Sequence, residues 1–227
     1  MPLGLGIAYS HSPILFRPIG RWGEIYRALT NSVPHPNEAA NETPEKLEEY
    51  HFRIENACSS LRQKLEAYQP QAMILVVSDK DRVFADMHTP QLNIYLGKEI
   101  WGSTAYRELG ENHTEFSRIT MGCHTELSEW LADELTEEGF DMNVGRTFRP
   151  MGDPDGGTVN SITDTVRKFT PDLDVPIIPF YVNCHKDPAI SGHRMPILGK
   201  TIAKLSLIHI SEPTRPRLIS YAVFCLK

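Results

Sequence analysis

Residues 72–79 read AMILVVSD, six apolar residues in a row and then two polar ones. A strand with one wet face alternates apolar and polar residues, so an unbroken run this short belongs to a sheet covered on both faces. A second run, VPIIPFYVN at 175–183, has the same character, and Leu3 to Tyr9 is a shorter one containing two glycines. Strands of this kind sit in parallel sheets, whose connections must cross over through helices. The expected fold is therefore α/β: a single domain with a central, mostly parallel sheet and helices on both faces.

The intervening segments supply those helices. NSVPHPNEAANETPEK, residues 31–46, is an exposed loop that ends in a helix start: Thr43 as cap, Pro44 in the first turn and the acidic Glu45. From there to Tyr68, Leu47, Tyr50, Ile54, Ala57, Leu61 and Leu65 recur at helical spacing, which predicts a helix packed on the sheet. Trp22 to Leu29, residues 124–140 closed by Gly139, Val159 to Lys168, and the stretch opening at 190 are further helices. LNIYLG (92–97) and DMNVGRTF (141–148) are further strands, and GDPDGGT (152–158) is a turn.

The last stretch differs in kind. LSLIHISEPTR, three residues PRL, and ISYAVFCLK closely resemble the translation of a transposon-end sequencing adapter, with the three variable residues where a sample index is read. The expected domain is thus residues 1–204, truncated at its C-terminus, with 205–227 a non-native tail left out of the fold.

Composition narrows the function. The net charge is −6, with arginines and lysines dispersed, which argues against a nucleic-acid partner. No run approaches the roughly 18 apolar residues of a membrane span, and the N-terminus lacks the pattern of a signal peptide. The expected location is the cytoplasm. Four cysteines, with no CxxC, read as reduced thiols rather than a zinc site or a disulfide framework.

Strand ends in an α/β sheet are where ligands bind. The first strand delivers His11 there, flanked by the small polar Ser10 and Ser12, which leave room for an ion or a substrate. The second delivers Asp79, Lys80 and Asp81, an ordinary ion-pair cluster on its face. The third delivers Cys184 and His185, with His193 and Arg194 at the following helix start. An arginine there can grip a substrate carboxylate through a bidentate fork, or simply form a surface ion pair. His113 and His124 read as structural or exposed.

Three segments, GIAYSHSPILF, ILVVSDKDRVFADMHTPQLNIYLG and VPIIPFYVNCHKDPAISGHRMPILGKTIAK, together resemble the catalytic β-type subunit of class III extradiol ring-cleavage dioxygenases. The resemblance runs in order through most of residues 3–204. It implies a non-haem Fe(II) held by two histidines and a carboxylate, with open positions for a catechol and O₂. His11 matches the first ligand; His185 is the candidate for the acid/base histidine, and Ser10, Ser12 and Arg194, read from the residues themselves, are the candidate substrate contacts. It also implies a small aromatic diol as substrate, and leaves open a homo-oligomer or a small partner subunit. The sequence departs from the pattern at three places. Lys80 stands where the second metal histidine is expected, Gly156 is the counterpart of a histidine expected in the turn, and the carboxylate region falls beyond Lys204. His88 is a substitute ligand if its loop folds back. Alternatively Lys80 occupies the metal position, its ammonium supplying the charge that iron would offer a phenolate, in a degenerate subunit with a binding or assembly role. A third reading makes Lys80 the base or Schiff-base nucleophile of a metal-independent hydrolase or lyase.

Overall fold

The computed structural model describes residues 3–35, 37, 41–85, 88–171, 174–211 and 221–226. Its main sheet contains β1 (Leu3–Tyr9), β2 (Ala72–Val77), β3 (Leu92–Tyr95), β6 (Asn143–Gly145), β7 (Ile177–Val182) and β8 (Tyr221–Leu226), in the order β1-β8-β2-β7-β3-β6. All neighbours are parallel except β3 and β7. The fold is α/β, as the apolar runs require.

Period-two geometry sorts the buried side chains of β2 between two layers. Ala72 and Ile74 join Ile178 and Phe180 of β7 beneath α3 (Thr125–Glu137) and α5 (Arg194–Ser211), through Leu131, Leu135, Leu198 and Ile202. Met73, Leu75 and Val77 face the other way, toward α2 (Pro44–Tyr68) and α4 (Asn160–Phe169), through Leu65, Ile162 and Phe169. α1 (Trp22–Thr30) packs Ile25 against Tyr106 and Leu109 in a smaller cluster.

The local signals act as their chemistry dictates. The Thr43 hydroxyl accepts the Lys46 N–H at the start of α2, and Gly139, at φ +87°, adopts the left-handed conformation after α3 that other residues avoid. The His124 ring caps α3 by accepting the Leu127 N–H at 3.4 Å.

Three expectations are corrected. α2 packs on the sheet through its second half: Leu65 is 0% exposed and Cys58 and Leu61 lean on the same cluster, whereas Ala57 faces solvent and Phe52 is 67% exposed. A 25-residue helix outruns the sheet beneath it, so helical spacing in its first half does not meet a core. Next, a two-stranded antiparallel hairpin, β4 (Glu99–Ser103) with β5 (Arg118–Gly122), forms where the sequence offered no clear signal. Finally, the segment expected outside the fold supplies β8, parallel to both β1 and β2, and α5 runs on to Ser211. YAVFCL is rich in β-forming residues, and its backbone fills the pairing position between β1 and β2, whatever the origin of the segment.

Candidate functional site

Parallel strands end at one edge, so the loops after β1, β2 and β7 gather there. Val77 of β2 is paired with Tyr181 of β7, and Val76 shares its β8 partner, Cys225, with Ala8 of β1. Ser10–Ser12, Ser78–Phe84 and Asn183–Pro188 consequently leave the sheet at the same level.

The loop after β2 is built around Asp79. Its Oδ1 accepts the N–H groups of Arg82 at 3.3 Å and Val83 at 3.0 Å, and Oδ2 accepts that of Phe84 at 2.9 Å. Burial pushes the carboxyl above its ordinary range, while these three donors pull it back down. Asp81 takes the turn in the left-handed region, at φ 58°, and Lys80 faces solvent. The loop after β7 is stapled by Asn183, whose Oδ1 accepts the N–H groups of His185 and Lys186, both at 3.2 Å. Lys186 then reaches Asp81 at 2.9 Å and ties the two loops together.

His11 stands beside them, half-buried, with its ring 6.3 Å from that of Phe16. Its Nε2 is buried and has no partner among the described residues. Desolvation, followed by the positive charges of Lys80 and Arg82, lowers its pKa to about 4. The imidazole is neutral at physiological pH, its orphaned nitrogen in the field of two cations. Ser10 turns locally, its Oγ accepting the Ser12 N–H at 3.3 Å.

Arg82 is the residue the sequence reading passed over. It donates to Asn160 Oδ1 and, at 3.2 Å, to Asp153 Oδ2. His113, 6% exposed, meets the same oxygen at 3.1 Å, and Arg107 meets Oδ1 at 3.1 Å. Burial opposes ionisation of Asp153, yet Arg82, His113 and Arg107 hold its carboxyl below the usual range. This network accounts for Gly156: a β-carbon there would collide with Asp153 Oδ2 and Arg82 Nη2. The turn carries an ion pair in the space a histidine side chain would need.

No family model and no curated protein matches the chain.

The remaining candidates disperse. His88 is exposed, edge-on to Phe84 at 6.0 Å, and lines a separate cavity of about 170 Å³ walled by Tyr95, Phe148 and Tyr181. His185 and Cys184 face solvent. Arg194 serves the opposite layer: it donates to the Gly139 carbonyl at 3.2 Å, pairs with Asp141 at 3.6 Å and covers the Phe140 ring, so the start of α5 is anchored to the end of α3. His193 is exposed beside it. The expected iron site asks for two histidines and a carboxylate on one face. Here, among the described residues, His11 stands without a second imidazole, Asp79 has both oxygens taken up by main-chain donors, and Lys80 and Arg82 add positive charge. Among the described residues no group of three His, Cys, Asp or Glu side chains is disposed to hold a metal ion. These residues do not fit Fe(II) in that arrangement. What the edge offers is a neutral imidazole, two hydroxyls and a solvent-facing ammonium.

Proposed function

We propose that this chain is a homologue of the extradiol ring-cleavage dioxygenases whose strand-end site binds a small phenolic anion without iron, in the cytoplasm, in a binding or assembly role. The observation that carries this reading is the buried, unpartnered His11 Nε2 beside Lys80 and Arg82. A neutral imidazole accepts a phenol hydroxyl, and a solvent-facing ammonium pairs with a phenolate or carboxylate without the desolvation a buried ion would need. Arg82 adds long-range attraction while remaining engaged by Asn160 and Asp153.

The iron-dependent reading draws support from the same neutral imidazole, since a metal ligand needs a free lone pair. It requires two further ligands, and the charges of Lys80 and Arg82 oppose a dication. The Schiff-base reading has less behind it, because Lys80 is exposed and a nucleophilic lysine depends on a dry site.

Calorimetric titration of the chain with 3,4-dihydroxybenzoate in the presence of EDTA tests the proposal. Binding should persist under chelation and weaken about tenfold in Lys80→Met, the worth of one charge-assisted contact. Binding that requires added Fe(II) would overturn it.

A further inference from the structure

A second cavity, of about 390 Å³, lies between residues 15–18, α2 and α4, with its Phe16 wall 6.3 Å from the His11 ring. Its walls carry charged groups of both signs, and not all of them are in direct contact with a partner. Arg17 is engaged by Glu111 at 2.5 Å, a carboxylate it shares with Arg21, and Lys168 by Glu55 at 2.6 Å, so both cations have direct partners. Two groups remain. Asp164, 1% exposed, accepts the Tyr106 hydroxyl at Oδ2, but its Oδ1 is buried with no partner among the described residues. Arg167, one turn along α4 and exposed, has no hydrogen-bond or ion-pair partner among the described residues.

A further unsatisfied atom belongs to the same walls, on α2. His51 packs edge-on against Trp22 at 5.5 Å, and its Nδ1 is likewise buried and unpartnered. Buried polar atoms without partners are rare, and two of them in the walls of one cavity ask for a shared explanation. The rest of the wall near the chain's 3-10 turn is apolar: Leu15, Phe16 and Pro18.

We propose that this cavity binds a free α-amino acid with an apolar side chain. An ammonium carries three N–H donors and no acceptor, so one group satisfies Asp164 Oδ1 and His51 Nδ1 together. The α-carboxylate pairs with Arg167, and the side chain lies on Leu15, Phe16 and Pro18. A simple anion would leave the Asp164 oxygen unmet and add repulsion, and a simple amine would leave Arg167 unmet. The zwitterion complements both, and the cavity has room for one. The site uses none of the polar groups proposed to hold the phenolic anion, and its case does not rest on that proposal.

The experiment is calorimetric titration of the full chain with L-leucine, 4-methylpentanoate, which lacks the amine, and 3-methylbutylamine, which lacks the carboxylate. Leucine should bind, and each analogue should bind about tenfold or more weakly, the loss of one charge-assisted contact. Arg167→Gln, a surface change that leaves the core untouched, should weaken leucine to a similar extent and leave 3-methylbutylamine unchanged. Asp164→Asn should weaken both leucine and 3-methylbutylamine. Absence of leucine binding at about 10 mM, a range that captures even weak sites, would overturn the proposal. So would equal binding of leucine and both analogues, or leucine affinity unchanged in Arg167→Gln.

Discussion

Asp79, half-buried, and Asp164, buried, are both carboxylates lifted above their ordinary range by desolvation, yet their surroundings differ. Asp79 sits in a loop and accepts three main-chain N–H groups, which is how it shapes the turn that carries Lys80 and Arg82. Asp164 sits in a helix whose main-chain donors are committed to the helix itself, and among the described residues it receives only the Tyr106 hydroxyl. The same side chain thus closes a structure in one region and leaves a need open in the other. Local backbone decides which: a turn presents free N–H groups to a carboxylate, and the interior of a helix does not.

The largest test of this contrast is Asp79→Ala. Removing the acceptor strands three N–H groups, and urea unfolding should report a loss of about 3 kcal/mol. Gly156→His comes next, with about 2 kcal/mol expected as the Arg82–Asp153 ion pair is forced apart. A Gly156→His protein as stable as the parent would mean that the ion pair does not fill that space. Asp164→Asn should cost no more than about 1 kcal/mol at neutral pH, because it removes a carboxylate that is only half satisfied. If it cost as much as Asp79→Ala, the two regions would not differ in the way described.

The pH dependence sharpens the comparison further. Asp164 has its pKa raised from 3.8 to about 6, so the folded state holds the extra proton and Asp164 favours folding increasingly as pH falls through 6 toward 4. His11 has its pKa lowered from 6.5 to about 4, so the unfolded state holds the extra proton and stability drains away over nearly the same interval. The two oppose each other, and the parent's stability should change little between pH 6.5 and 4 on their account. Asp164→Asn should expose the His11 loss as a fall in melting temperature on acidification, and His11→Phe should expose the opposite trend. Glu111, held down from 4.5 to about 2, first by Arg17, begins to lose its stabilisation only at the acidic end of this interval, where it adds a smaller loss common to the parent and both variants. The smallest effect is at Lys80: Lys80→Met should change stability by no more than about 0.5 kcal/mol, as an exposed side chain does, while weakening phenolate binding.

Much of the frame was legible in the chain because burial on both faces writes continuous apolar runs, and β2 and β7 are such runs. The meeting of three strand-end loops follows from that same parallel order. What stayed hidden was of two kinds. β4 and β5 are short, carry a glycine each and depend on pairing across a long connection, so neither has a local signature. α4 reads as a surface helix, with Asn160, Ser161, Thr163, Asp164 and Thr165, yet all five are buried, matched by partners from distant segments such as the Ser103 carbonyl and Tyr9. Arg82 and Asp153 were invisible for a similar reason: each looks like an ordinary loop charge until the fold puts them 3.2 Å apart. Long-range polar matching leaves no periodic trace.

The most direct test is anaerobic Fe(II) titration of the chain beside its Lys80→His variant, with 3,4-dihydroxybenzoate binding followed in both. The expected result is no stoichiometric iron on the parent, which nevertheless binds the catechol acid under chelation. One tightly held iron per chain in the parent, with Lys80 in place, would contradict a metal-free strand-end site.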